Sequence, residues 1–154
     1  MSEMQIADHF LKLVPLCSVT ATLADRVVVP AGPAGTRAIV EVLSMRYEGA
    51  RLKASMKGKT SADWIIIAPD GKFATVDVRC CIETDDGEPI FVQYNGKIVF
   101  SPEGQASKLI VAPRFEAANT RYGWLNRVQA IGVGSFYVQE KTLTYEFFDV
   151  QPRL

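Results

Sequence analysis

The sequence is poor in the residue types that most often mark a metal site or a nucleophilic centre. It has one histidine, His9, and three cysteines, Cys17, Cys80 and Cys81, with no pair at a CxxC spacing. A zinc site needs several such ligands, and a Ser-His-Asp triad would have to use His9 near the N-terminus. We therefore expect no metal and no such triad, and we predict that the cysteines are buried free thiols.

Charge imbalance and long apolar runs are missing as well. The 17 Lys and Arg residues balance 17 Asp and Glu residues, which leaves a formal net charge of +0. Because no basic block is present to neutralise phosphates, we expect no nucleic-acid partner. No apolar run approaches the roughly 18 residues of a membrane-spanning helix. The N-terminus lacks the basic-then-apolar order of a signal peptide, so we predict a cytoplasmic protein without membrane association.

The sequence also shows no convincing long helix. Residues 3–14 show a loose helical spacing that ends at Pro15, so we treat residues 1–15 as a lead-in. The chain has 154 residues, of which 48% are hydrophobic, and this suits one folded domain spanning 1–154. We find no linker and no internal repeat that would divide it.

Short segments with strand patterns fill the rest of the chain. Most show alternation or apolar β-branched runs and are separated by turn signals, while residues 30–35 read as a stiff loop. The pattern predicts an all-β fold of about nine or ten antiparallel strands, in a closed or nearly closed barrel of the lipocalin type. The predicted strands are 16–23, 37–43, 51–57, 64–68, 73–83, 89–99, 109–115, the last part of 122–133, and 143–150. Pro113 interrupts the strand 109–115, so we expect an edge or a bend there.

The stretch from Phe73 to Val99 carries the clearest pattern. Its two apolar-rich runs flank the turn signal Asp85-Asp86-Gly87-Glu88-Pro89, which predicts a long antiparallel hairpin. In the first run, Ala74, Val76, Val78, Cys80 and Ile82 share an apolar face, while Asp77 and Arg79 lie on the other. That second face is either a solvated surface with a structural ion pair or the lining of a polar pocket.

A series of short motifs occurs in a fixed order along the chain. The motifs are Gly35-Thr36-Arg37, Ala62-Asp63-Trp64, Pro69-Asp70-Gly71, Asp77-Val78-Arg79, Thr84-Asp85-Asp86-Gly87, Tyr94-Asn95-Gly96, Pro113-Arg114-Phe115-Glu116 and Tyr122-Gly123-Trp124-Leu125-Asn126-Arg127. With them, the chain from about residue 16 to residue 150 resembles the bacterial and fungal family called domain of unknown function 3237, also known as uncharacterised protein family 0311. The resemblance implies a lipocalin-like antiparallel β-barrel with a cavity, often dimeric, and a part in small-molecule pathways such as aromatic catabolism and polyketide-type tailoring.

The resemblance also implies a set of site residues. The polar positions that the family keeps best fall on Arg37, Asp77, Arg79, Glu116 and Asn126, and the aromatic walls fall on Trp64, Tyr94 and Trp124.

These residues suggest cofactor-free acid–base chemistry on a small organic molecule, and the resemblance implies an aromatic, phenolic or polyketide-like carbonyl compound. Asp77 would be the base, Arg79 and Arg37 would stabilise an anion, and Tyr94 or Glu116 would be the acid. Under this hypothesis the protein is an isomerase, cyclase, dehydratase or lyase, and we expect it to form a homodimer.

Each of these assignments has an alternative. Asn126 either binds a ligand carbonyl or ties its own loop backbone, and the tryptophans either stack on a ligand ring or belong to the core. For the whole protein, the alternatives are a non-catalytic lipocalin-like binder of a small hydrophobic molecule and a structural dimer with a filled barrel.

Overall fold

The computed structural model describes residues 8–153 and shows an antiparallel sheet of 11 strands with essentially no helix. The prediction of an all-β antiparallel fold is confirmed, with slightly more strands than expected. The strands are β1 Leu11–Leu23, β2 Val27–Gly32, β3 Gly35–Glu48, β4 Lys53–Met56, β5 Ala62–Ile67, β6 Phe73–Thr84, β7 Pro89–Val99, β8 Ser107–Val111, β9 Arg114–Ala117, β10 Ala130–Tyr137 and β11 Thr142–Pro152.

Eight of the strands close into a ring of hydrogen bonds, which gives the molecule a barrel-like form. The ring runs β1-β3-β5-β6-β7-β8-β10-β11 and returns to β1, and the β6–β7 pairing closes it. The three remaining strands extend the ring. Strand β4 pairs with both β3 and β6, at the end of these strands that β5 does not reach. Strand β9 pairs with the part of β7 that β8 does not reach, and β2 pairs with the first half of β3.

Three local predictions differ from the structure. Residues 30–35 do not form a loop alone, because β2 runs to Gly32 and only a tight turn joins it to β3. Pro113 lacks the N–H that a ladder needs, and it separates β8 from β9 instead of bending one strand. Gly123–Arg127 form a 3₁₀ helix before β10 begins.

The helical lead-in falls partly outside the described residues, and within them Asp8–Phe10 are helical before β1 starts.

The central hairpin has the predicted form and sets the inside and outside of the ring. Strands β6 and β7 pair from Phe73 opposite Val99 to Glu83 opposite Pro89, and Gly87 in the turn has φ of 97°. The apolar face of β6 points inward, so all five of its residues named above are buried. Asp77 and Arg79 therefore lie on the outer face.

Aromatic side chains fill one half of the ring's interior. Tyr47, Tyr94 and Tyr145 each lie near Phe147 in edge-on or tilted contact, with ring centres 5.3–6.0 Å apart. Leu52, Ile82, Ile90 and Leu125 are fully buried in the same core. Among the described residues, this half of the interior is therefore closely packed.

Candidate functional site

The unfilled half of the interior forms a cavity of about 330 Å³, which we call the inner cavity. Its mouth lies where the Ala24–Arg26 link, Phe100, Val138 and Lys141 meet, and an Asp25–Lys141 ion pair spans part of it. Aliphatic side chains make up most of the wall, and the polar groups deep inside are few. The lining includes Ala38, Val40, Val42, Met45, Ile65, Ile67, Val76, Val78, Ile98, Leu109 and Leu143, together with Asp63 and Tyr94.

Asp63 places a carboxyl group in this apolar wall. In β5, Asp63, Ile65 and Ile67 alternate with outward-facing residues, so the acid shares the inner face with two isoleucines. The pKa of Asp63 is raised to about 7, mainly by burial; the hydrogen bond from the Asp77 backbone N–H lowers it, and the nearby charge of Asp77 is a smaller effect that raises it. The carboxyl group of Asp63 is therefore held closer to its neutral form than that of an exposed aspartate.

A gap in the β5–β6 ladder explains how Asp63 is held. Asp63 pairs with Val78 and Ile66 with Thr75, but the two pairs between them, Trp64 with Asp77 and Ile65 with Val76, are not formed. Instead, the backbone N–H of Asp77 donates to Oδ1 of Asp63 at 2.9 Å. A side-chain carboxyl group thus replaces a carbonyl in the ladder, which fixes the orientation of Asp63.

Arg37 satisfies a carbonyl at the same gap. Its Nη1 donates to the carbonyl oxygen of Trp64 at 3.2 Å, from the neighbouring strand β3. Two side chains, one acidic and one basic, therefore provide hydrogen bonds where two strands do not pair with each other.

Tyr94 brings a second polar group to the cavity wall. Its hydroxyl oxygen is buried and forms no hydrogen bond of normal length and angle among the described residues, although Tyr145 is a close neighbour, whose pKa burial raises and the Tyr94 hydroxyl lowers in part. Tyr94 is opposite Val78 on the adjacent strand, and Val78 is opposite Asp63 on the next one. Burial and the neighbouring Tyr145, Tyr47, Cys80 and Asp63 raise the pKa of Tyr94 far above its usual value, so the hydroxyl stays protonated as a donor. Such an unsatisfied buried donor is rare in folded proteins and calls for an explanation.

The other residues predicted for the site lie outside the inner cavity. Oδ2 of Asp77 is 3.4 Å from Arg79 Nη2, and the Arg79 guanidinium carbon is 5.6 Å from the centre of the Trp64 ring. Oδ1 of Asp77 is buried and has no hydrogen-bond partner among the described residues. The structure thus brings Arg37, Trp64, Asp77 and Arg79 together on the outer face, around the ladder gap. Their predicted catalytic and binding roles stay predictions.

Glu116, Asn126 and Trp124 lie further round the outer face. Glu116 and Asn126 line a second hollow of about 390 Å³ between β7, β9 and the 3₁₀ helix. The Asn126 side chain accepts from the Ala117 N–H at 2.7 Å and donates to the Ala117 carbonyl at 2.9 Å. Its amide thus ties the 3₁₀ helix to β9, close to the backbone alternative considered above. The Trp124 ring is covered by the Arg51 guanidinium, at 3.6 Å from its centre.

Sequence reasoning missed Asp63 because the strand was predicted to start at Trp64. The signal in the sequence was the spacing of Asp63, Ile65 and Ile67, which are two residues apart and so share one face of a strand. An acid at that position on an inward face has to be neutralised or hydrogen-bonded.

The described residues contain no group of three or more His, Cys, Asp and Glu side chains arranged to hold a metal ion. Cys17, Cys80 and Cys81 are free thiols, and burial raises the pKa of Cys17 to about 12 and that of Cys80 to about 11. Within residues 8–153, no helix is both long and apolar enough to cross a bilayer.

The chain belongs to the family described as protein of unknown function (DUF3237), whose model matches residues 11–150. The family resemblance inferred from the sequence motifs is thereby confirmed. No curated protein matches the chain.

Solved structures match over nearly the whole chain. A beta-barrel-like protein from Acinetobacter baumannii is 26% identical with a TM-score of 0.81, covering 92% of this chain and 96% of its own. A protein of unknown function from Rhodopseudomonas palustris is 21% identical with a TM-score of 0.82, covering 92% and 98%. An enzyme from Penicillium herquei is 21% identical with a TM-score of 0.65, covering 90% and 93%. These likenesses support the barrel-like fold.

Proposed function

We propose that the inner cavity binds a small aromatic, phenolic or polyketide-like carbonyl compound and moves a proton on it without a cofactor. The observation that carries the proposal is the pairing of Asp63, whose pKa is raised to about 7, with the unpartnered hydroxyl of Tyr94 on one apolar wall. Perturbed titratable groups in an apolar cavity are typical of catalytic sites. The enzyme among the structural relatives supports the proposal, because that protein carries catalysis on a similar fold.

The ligand has to be small and mostly apolar. The cavity volume of about 330 Å³ lies at the low end of the range of about 300–1,000 Å³ for ligand sites. The aliphatic lining favours a compound of one or two rings, and its single polar end would face Asp63 and Tyr94. A ligand oxygen that accepts from Tyr94 would satisfy the hydroxyl group that is otherwise unpaired.

The proposed chemistry divides two roles between these residues. Ionised Asp63 removes a proton from the carbon next to the ligand carbonyl, and Tyr94 donates a hydrogen bond to the oxygen where negative charge develops. Returning the proton to a different atom isomerises the compound, so no oxidant or second substrate is needed. In this proposal Tyr94, which the sequence suggested as an acid, donates a hydrogen bond instead, and Asp63 takes the role of base that the sequence suggested for Asp77.

Proton exchange on a probe ketone tests the proposal directly. We would use 2-tetralone, which has acidic hydrogens next to its carbonyl and a size suited to the cavity, and follow deuterium incorporation by NMR. We expect wild-type protein to accelerate exchange. Asp63→Asn should lower the acceleration by about 10²–10⁴-fold, the usual contribution of a general base. Tyr94→Phe should lower it by about 10²–10³-fold, as for loss of an oxyanion donor. Glu103→Gln, which changes an exposed loop acid, should have no effect.

The alternative is that the protein is a non-catalytic binder, which the enclosed apolar lining of the inner cavity also favours. This alternative predicts a different result in the experiment with 2-tetralone. It predicts that 2-tetralone shifts the amide resonances of cavity residues such as Val40 and Ile65, while exchange stays at the rate seen without protein. A result with neither binding nor exchange would contradict both functions. The variant Ala38→Leu tests whether 2-tetralone binds in the inner cavity. Ala38 is fully buried in the cavity wall, so a leucine there should narrow the cavity and weaken binding of 2-tetralone.

A further inference from the structure

A row of three polar side chains crosses the outer face of the ring, on the side away from the inner cavity. Arg79 of β6 is directly opposite Gln93 of β7, and Gln93 is directly opposite Arg114 of β9. Residues directly opposite in antiparallel strands share a face, with Cβ atoms about 4.5–5.5 Å apart. The sheet itself therefore holds two guanidinium groups on either side of an amide.

The next row and the 3₁₀ helix complete a hollow around two members of this row, Gln93 and Arg114, and Arg79 lies beside it. Phe91 of β7 is directly opposite Glu116 of β9, two residues along each strand from Gln93 and Arg114 and on the same face. Arg127 of the 3₁₀ helix lines the same hollow of about 390 Å³ as Gln93, Arg114, Phe91 and Glu116. We call this hollow the outer groove.

Two cations of the outer groove lack an acidic partner. Among the described residues, neither Arg114 nor Arg127 forms an ion pair, whereas Arg79, beside the groove, pairs with Asp77 at 3.4 Å. By contrast, Arg46 contacts both Glu48 and Asp85, at 2.6 Å each. The hollow holds two arginines, Arg114 and Arg127, against one acid, Glu116, so its charge is net positive and an anion placed beside the two guanidinium groups would be stabilised.

The groove wall that carries Arg127 is anchored. The two hydrogen bonds between the Asn126 side chain and the Ala117 backbone attach the 3₁₀ helix to β9 at the residue preceding Arg127. Arg114 is at the other end of β9, on the strand that Asn126 holds. A site whose positive side chains start from a fixed backbone loses less entropy when a ligand binds.

We propose that the outer groove binds a small organic anion with one carboxylate group and an apolar, preferably aromatic, body. The planar fork of arginine matches the two oxygens of a carboxylate, and Gln93 adds an amide donor between the two cations. Phe91 gives the body of the ligand an apolar surface. Glu116 faces Phe91 and repels additional negative charge, which favours a monoanion over a phosphate dianion.

Titration with benzoate, followed by NMR, tests this site without reference to the inner cavity. We expect benzoate to shift the amide resonances of Phe91, Gln93 and Arg114, while benzamide, the neutral molecule of the same shape, shifts them far less. In the double variant Arg114→Gln/Arg127→Gln the dissociation constant for benzoate should rise about tenfold or more, because charge-assisted hydrogen bonds are lost.

The control variant Lys12→Gln/Lys59→Gln removes two exposed cations elsewhere and should leave benzoate binding unchanged. Thermal unfolding checks that both double variants keep the fold. The proposal is overturned if benzamide binds as well as benzoate, if the control variant weakens binding equally, or if benzoate shifts no groove resonance. Shifts confined to Asp63, Tyr94 and other cavity residues would also overturn it, yet would support a ligand site in the inner cavity.

Discussion

The backbone N–H of Asp77 donates a hydrogen bond to Oδ1 of Asp63, at 2.9 Å, across a gap in the β5–β6 ladder. Asp63 faces the inner cavity and Asp77 faces outward, so this bond joins the two surfaces of the wall. It also places two carboxyl groups close enough that the charge of Asp77 raises the pKa of Asp63. The first two predictions below follow from this relationship.

Asp63 should make the protein less stable as the pH rises. Its pKa is about 7 in the folded state, against 3.8 for an unperturbed aspartate side chain. Between these values the unfolded chain loses the proton and the folded chain keeps it, so the stabilisation present below about pH 4 is lost by about pH 7. Asp63→Asn should remove this loss, which has an upper limit on the order of 4 kcal/mol.

Denaturant unfolding of wild type and Asp63→Asn at pH 4.5 and at pH 7.5 would measure the effect. Exposed acids whose pKa is lowered, such as Asp85 and Asp86, change stability in the opposite direction with pH. They are present in both proteins, so the difference between the two proteins isolates Asp63. An equal pH dependence in both proteins would show that Asp63 is ionised throughout.

Asp77→Asn should lower the pKa of Asp63. The substitution keeps the backbone N–H that holds Asp63 and removes only the charge beside it, so the shift should be about half a unit to one unit. Carbon-detected NMR titration of the Asp63 carboxyl group gives the value directly. Glu140→Gln, in an exposed turn, serves as the control and should leave the titration unchanged. An unchanged pKa in Asp77→Asn would mean that solvent screens the two carboxyl groups from each other.

Arg37→Met should destabilise the fold by about 1 kcal/mol, because the carbonyl of Trp64 loses its donor at the ladder gap. Methionine keeps much of the aliphatic length of the side chain, so the loss reports mainly the hydrogen bond. Lys59→Met, at an exposed loop position, should be neutral in the same denaturant measurement. If the two variants were equally stable, water would be satisfying the carbonyl as well as Arg37 does.

Gly96→Ala should destabilise the fold by about 3 kcal/mol or more, because a Cβ has no space there. It would lie 2.1 Å from the Ile110 carbonyl oxygen and 2.7 Å from the Val111 Cα, both of which are backbone atoms of β8. Strands β7 and β8 would have to separate within the ring. Gly32→Ala is a suitable control, since its nearest neighbour is 3.4 Å away. A midpoint of thermal unfolding equal to that of wild type would contradict this packing.

Much of the fold follows from local pattern. The alternation of Val76 and Val78 with Asp77 and Arg79 predicted both the strand and its apolar face, because side chains in a strand alternate whatever the strand packs against. The turn at Asp85–Pro89 predicted the hairpin for the same local reason. Pro113 predicted an interruption, although the outcome is two separate strands. Local pattern could not reveal that β2 pairs with β3, because that pairing depends on what lies beside β3.

The sequence by itself determined the all-β class, the central hairpin and the family, because periodicity and motif order are properties of the chain alone. Only the tertiary structure decided which groups meet. It placed Asp63 and Tyr94 on one wall of the cavity, set Asp77 on the outer face, and aligned Arg79, Gln93 and Arg114 in a row. The physical reason is that ring closure chooses the inner face of every strand together, and strand register, which involves residues far apart in sequence, chooses their neighbours.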